Sequence, residues 1–175
     1  LKETHERIRH QPGNWDQVWS TFEKLRAIGI PIKINTVVTT ENMNEILPLM
    51  KKVKKRNPDF HSVILLRGDT IDPGVELPAL DELKQLAPEV LKILQTYGYG
   101  QNPISAHILR NYHKFLWKIS LQTLEEKRQV IPCLAGQAHM VVMGNGDVSS
   151  CEMLEPVGNI NEKSWTEIKG SKELK

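Results

Sequence analysis

Between Trp15 and Leu66 the hydrophobic pattern changes period three times. Trp15, Val18, Trp19, Phe22, Leu25 and Ile28 recur at spacings of three and four, which predicts a helix with Asn14 as its cap and Gly29 as its stop. Ile32 to Val38 is rich in β-branched residues and reads as a strand. Met43, Ile46, Leu47, Met50 and Val53 return to the helical period, with Pro48 in the first turn, where proline costs least. Asn57-Pro58-Asp59 breaks that helix, and His61 to Leu66 is a second strand ending at Arg67-Gly68. Helix, strand, helix, strand with short breaks is the signature of a β-α-β unit, and hence of a parallel sheet in an α/β fold.

The flanks fit around that unit. Leu1 to Gly13 is polar and closes on a Pro12-Gly13 turn signal. Asp69 to Pro78 is a loop, followed by a helix over about 79–97 that Pro88 would disturb and that Gly98-Tyr99-Gly100 would end. A long helix spans about 104–128, with Ile104, Ile108, Tyr112, Phe115, Ile119 and Leu124 on related faces. After Pro132 the character changes. Ala138 to Met143 and Asp147 to Cys151 form a hairpin around Gly144-Asn145-Gly146, since glycine and asparagine tolerate positive φ. A short helix over 164–169 ends at Gly170. The expected division is therefore 1–130 and 131–175.

The 175 residues carry a formal charge of only +2, too weak to argue for nucleic acid. The cluster Lys51, Lys52, Lys54, Lys55, Arg56 reads as a solvated helix face with favourable C-terminal placement. No run reaches the ~18 apolar residues of a membrane helix. No leader peptide is legible, and a chain that begins at Leu1 is expected to lack its native N-terminus.

Two cysteines exclude a disulfide scaffold and cannot fill an all-cysteine metal site. The hairpin between Cys133 and Cys151 would fold the chain back and bring both sulfurs towards one end. They are then either partial ligands of an iron–sulfur or zinc site or small buried thiols. His139 reads as an ordinary histidine more readily than as a third ligand. On the first strand Lys33, Asn35 and Val37 share one face, and an ammonium and an amide there suit a ligand site near the strands' carboxyl ends. Arg67, just past the second strand, would grip a carboxylate or phosphate, or else pair with Asp69.

The second half carries a resemblance. Cys133-Leu-Ala-Gly136, the run from Val141 to Val148, Cys151-Glu-Met-Leu and Val157-Gly-Asn-Ile160 resemble the start of the SPASM or twitch extension of radical SAM enzymes. Cys133 is followed by twelve residues, Gly146, four residues and Cys151, which meets that family's pattern. In the first half, His5-Glu-Arg-Ile-Arg9 with Pro12-Gly-Asn-Trp15 is similar to the family's His-Asp-x-Ile-Arg-Gly segment. Ile34 to Thr39 and Leu65 to Gly68 resemble its fifth and sixth barrel strands. The three-cysteine CxxxCxxC loop and the later cysteines of the extension do not occur.

The resemblance implies the C-terminal half of a partial (β/α)6 TIM-like barrel over 1–130, and the first hairpin of an auxiliary-cluster extension over 131–175. It implies a fragment of a longer protein, inactive alone. The intact enzyme would be an oxidoreductase that uses a [4Fe–4S] cluster and S-adenosyl-L-methionine (SAM) to make a 5′-deoxyadenosyl radical. That radical would take hydrogen from a peptide or protein. Cys133 and Cys151 match auxiliary-cluster ligands. Lys33, Asn35 and Arg67, with Arg9 beside them on a truncated strand context, lie where family members contact the polar parts of SAM. A cytoplasmic setting follows from the same likeness. Two other readings stand beside it: a cluster-free α/β binding module, and a peptide-presenting partner protein.

Overall fold

A computed structural model describes residues 1–68, 70, 72–99 and 102–171; Asp69 and Gly100 lie outside the described residues. The chain divides into two compact units, Leu1–Val130 and Ile131–Lys175.

The first unit runs α1 (Lys2–Arg9), α2 (Asn14–Ala27), β1 (Lys33–Val38), a 3₁₀ turn (Met43–Glu45), α3 (Ile46–Arg56), β2 (Phe60–Leu65), α4 (Leu80–Leu94) and α5 (Pro103–Glu126). β1 and β2 pair in parallel, from Lys33 opposite Phe60 to Val38 opposite Leu65, with α3 as the crossover. Val38, Ile46, Met50, Val63, Leu83, Val90 and Leu94 form the heart of the core. Burial of this kind is the main force holding a small α/β unit together.

Several expectations need correcting. The polar start is a helix, α1, and Arg9 stands in its last turn with no strand around it. Gly13, at φ 78°, occupies the cap position of α2, and Asn14 is the first helical residue. Of the α2 stripe only Trp15 and Phe22 are buried, while Val18 and Ile28 are exposed. α4 runs unbroken through Pro88. The proline lies on the exposed side, so the carbonyl one turn back that loses its N–H partner is turned to water.

The largest correction concerns α5. Ile104 (71% exposed), Ile108 (59%), Tyr112 and Phe115 face outward. The core side is Ala106, His113 and Trp117, with Leu109, Leu121 and Leu124 partly buried beside them. Trp117 fixes that choice of face, because its indole N–H donates to the Val63 carbonyl at 3.0 Å in the core.

The second unit is a three-stranded antiparallel sheet in the order β3 (Val141–Val142), β4 (Asp147–Ser149), β5 (Gly158–Asn159), followed by α6 (Trp165–Lys169). The hairpin is shorter than the pattern suggests, and β5 was hidden because two residues give no period to read. Gly146 sits at φ 92°, and a Cβ there would lie 2.2 Å from Asn161 Nδ2. Ser164 caps α6 and exchanges hydrogen bonds with Glu167, a capping box. Among the described residues no helix is long and apolar enough to cross a membrane.

Candidate functional site

The carboxyl end of β1 is braced by its own loop. The Asn42 side chain accepts from Thr39 N–H at 2.9 Å and donates to the Val37 carbonyl at 2.8 Å. Thr40 N–H donates to the Glu76 carbonyl, which ties the loop before α4 to the same end. Beside this end lies a cleft of about 480 Å³, within the size range of small-molecule sites.

One wall of the cleft is β1, through four consecutive residues, Ile34, Asn35, Thr36 and Val37. β1 pairs only with β2 in its sheet, so its other edge is unpaired among the described residues. Trp15, Val18 and Trp19 of α2 and Leu49 and Val53 of α3 form a second wall. These two helices are joined by cations stacked on rings. Lys52 Nζ lies 5.0 Å from the Trp15 ring centroid, and the Arg56 guanidinium carbon 4.0 Å from that of Trp19. Two members of the basic cluster are thus part of the packing and not merely solvated.

α1 closes the cleft from above, through Thr4, His5, Ile8 and Arg9. His5 Nε2 lies 2.7 Å from Asn14 Oδ1, so this nitrogen carries the proton. The lining holds both signs of charge, Arg9 together with Glu45 and Asp72. Two polar atoms along it, Thr39 Oγ1 and Trp19 Nε1, are buried without a hydrogen-bond partner among the described residues. Such groups are costly unless something meets them.

The expected SAM contacts divide in two. Asn35 and Arg9 line the cleft; Lys33 and Arg67 are not among the described residues that do. Lys33 opens β1 at the amino end of the sheet, with its ammonium 4.9 Å from the Phe60 ring centroid. Phe60 in turn stacks on His113, and His113 on Tyr99. Arg67 is exposed two residues beyond β2. Sequence reasoning gave Thr39, His5 and Asp72 no place in a ligand site. For Thr39 a cue existed, a polar residue directly after a strand's carboxyl end. For Asp72, 33 residues further along the chain, there was none.

In the second unit Cys133 is exposed, Cys151 is half-buried, and both are free thiols. Cys133 follows Pro132 in an irregular segment, and Cys151 comes two residues after β4. His139 is exposed, and its backbone bridges to Ala135. Among the described residues no group of three or more His, Cys, Asp or Glu side chains is placed to hold a metal ion. Two soft thiols therefore suit part of an iron–sulfur ligand set, not the whole of one.

Residues 133–175 match the SPASM family, an iron–sulfur cluster-binding domain. The AdoMet-dependent heme synthase of Methanosarcina barkeri is 25% identical over 95% of the chain and 49% of its own length. Those of Oleidesulfovibrio alaskensis and Nitratidesulfovibrio vulgaris are 23% and 24% identical, over 95% and 94% of the chain and 45% and 47% of their own lengths. The chain spans about half the length of the curated relatives it matches. No solved structure matches it. From Cys133 onward the chain is similar to a cluster-binding SPASM domain, and along most of its length, at low identity, to AdoMet-dependent heme synthases.

Proposed function

We propose that this chain is part of a radical SAM iron–sulfur oxidoreductase, and that its two units are the later strands of a partial (β/α)6 barrel and the start of a SPASM extension. The observation that carries this reading is the pair of free thiols, Cys133 and Cys151, in the segment that matches a cluster-binding family. Their role is thiolate coordination of an auxiliary [4Fe–4S] cluster, completed by ligands from outside the described residues. A bound cluster would supply one-electron chemistry, at a potential set by burial and hydrogen bonding around the sulfurs.

The cleft in the first unit is the SAM site in this reading. SAM brings a carboxylate, an ammonium, ribose hydroxyls and an adenine ring. Arg9 takes the carboxylate, Asn35 bonds to the polar edge, and the carboxylates of Glu45 and Asp72 face the cationic end. Trp15 and Trp19 provide the apolar wall. Arg67 acts from the rim, and Lys33, over Phe60 at the far end of the strand, is the most distant of the four along β1. The chemistry is hydrogen abstraction from a peptide or protein, in a reducing cytoplasmic setting. A second substrate reading is favoured by the relatives: three heme synthases, each aligned over at least 94% of this chain, make a haem precursor the competing candidate.

The test is anaerobic expression of a polypeptide with the full length of the relatives, followed by iron and sulfide analysis. Cys133→Ser and Cys151→Ser should each remove about four irons per chain, the content of one cubane cluster. Unchanged iron in both variants would sink the ligand assignment. SAM cleavage stimulated by a haem precursor and not by peptides would decide the substrate the other way.

A further inference from the structure

The second unit has hardly any apolar core. Among its described residues, 131–171, only two hydrophobic side chains are buried, Val148 and Ile168. The core cluster of the first unit has fourteen buried residues. Leu134, Val142, Met153, Leu154, Ile160 and Trp165 are instead each 48–58% exposed. The regular structure amounts to strands of two, three and two residues and a helix of five. Units this small rarely hold together on burial alone; disulfides, a metal or a partner surface staple them. Both cysteines here are free thiols, so no disulfide supplies the staple.

An amide clamp holds the start of β4. Asn159 Nδ2 donates to Asp147 Oδ1 at 2.9 Å, and Asn161 Nδ2 donates to the Asn145 carbonyl at 3.2 Å, which pins the β5 segment to the hairpin turn. The turn before β3 closes on itself, through Ala138 N–H to the Leu134 carbonyl and Gly136 N–H to the His139 carbonyl. Cys133 opens that turn, and Cys151 lies past the other end of β4. A single group bonded to both sulfurs would therefore tie the turn to the sheet at the end the amide clamp does not reach.

A second observation comes from Ser149, two residues before Cys151. It is 1% exposed, and its hydroxyl has no hydrogen-bond partner among the described residues. Cluster sulfurs and their thiolate ligands accept hydrogen bonds, which is what such a hydroxyl lacks. Gathering ligands from separate segments also turns metal-binding free energy into folding free energy. We propose that the cluster held by Cys133 and Cys151 has a structural function: it takes the place of a core in this unit, and the fold of 131–171 depends on it. This role presupposes the ligand assignment above and adds a fold-bearing duty to one-electron chemistry.

Amide hydrogen exchange read by mass spectrometry tests this, on the polypeptide of the relatives' full length loaded with iron and sulfide under anaerobic conditions. Peptides over Met143 to Ile160 report on the second unit, and peptides over β1 and β2 are the internal control. Stripping the iron with a chelator, Cys133→Ser and Cys151→Ser should each speed exchange in the second unit about a hundredfold or more and leave the control unchanged, the pattern of a unit that unfolds by itself. Reloading the stripped wild type with ferrous iron and sulfide should restore slow exchange; reloading the cysteine variants should not. Iron lost with the second unit still protected would overturn the structural role alone and leave the ligand assignment standing. Iron kept by both cysteine variants would overturn the ligand assignment and this role with it. Protection lost in both units together would also overturn it, since the dependence would then belong to the whole chain.

Discussion

His61 has only one way to arrange its protons. Tyr97 Oη lies 3.0 Å from the Met50 carbonyl, which can only accept, so the phenol gives its single proton there. His61 Nδ1, 2.8 Å from the same oxygen, must therefore donate to it. Its Nε2 is then an acceptor, and Thr36 Oγ1–H donates to it across 2.9 Å. A proton added to Nε2 would force the Thr36 hydroxyl to turn from donor to acceptor, in a chain of bonds that joins β1, β2, α3 and the segment just after α4. Burial pulls the pKa of His61 down to about 4, with His113 nearby adding to the effect. Burial likewise holds His113 at about 4, helped by Lys33. The unfolded chain titrates near 6.5, so below that pH it binds protons that the folded state refuses. Stability is full above pH 6.5 and falls as the pH drops towards 4, by on the order of a few kcal/mol for the two neighbouring histidines together. Urea unfolding at pH 7, 5.5 and 4.5 should show this decline. His113→Phe keeps the stack between Phe60 and Tyr99 and removes the buried, unpartnered Nε2, so its profile should be flatter. An unchanged slope in that variant would assign the pH dependence elsewhere.

At the scale of elements, α5 separates what a sequence can show from what it cannot. Its length and its start are legible: Asn102 caps it by accepting from Ile104 N–H and Ser105 N–H, and Pro103 follows at the first position. Its orientation is not. The stripe Ile104, Ile108, Tyr112, Phe115 is the more hydrophobic by composition, yet the helix buries the side with Ala106, His113 and Trp117. Periodicity reports that a face is apolar; it cannot report that an indole on the other face has a carbonyl waiting at Val63. The parallel β-α-β unit was legible because each segment has many residues voting for one period. α1 was missed because Ile8, its single aliphatic residue, cannot by itself mark an apolar stripe. In the cleft, Asn35 could be read from its position on a strand, but the roof over it comes from contacts between residues more than thirty apart, such as Arg7 with Glu41. The two faces of α5 give a direct check. Ile108→Ser should change the unfolding free energy by less than about 0.5 kcal/mol, and Trp117→Ala should lower it by about 3–5 kcal/mol. Equal losses would mean that the outer face is packed in solution.

For the whole molecule the decisive fact is the size of its parallel sheet. Two parallel strands, with the outer edges of both unpaired among the described residues, are far from the buried, several-stranded sheets in which parallel pairing is usual. Unpaired strand edges are templates for another strand. The 175-residue chain alone should therefore associate as its concentration rises from about 1 to 100 μM, by sedimentation velocity, as exposed edges find partners. A charge set at the cleft edge of β1, Val37→Lys, should weaken that association. A strictly monomeric wild-type chain across the range would show that α1 and the cleft walls shield the edge well enough.

The hairpin turn of the second unit has a consequence for how this chain ages. When glycine follows asparagine, its backbone nitrogen readily attacks the side-chain amide, and the asparagine slowly turns into aspartate or iso-aspartate. In Asn145-Gly146 both reactants are restrained. The Gly146 nitrogen donates to the Met143 carbonyl at 2.9 Å, and the Asn145 amide donates to Asp147 Oδ2 while accepting from Asp147 N–H. The folded turn thus protects its own weakest dipeptide, and accumulated iso-aspartate at residue 145 would record how long the second unit of a given sample had spent unfolded.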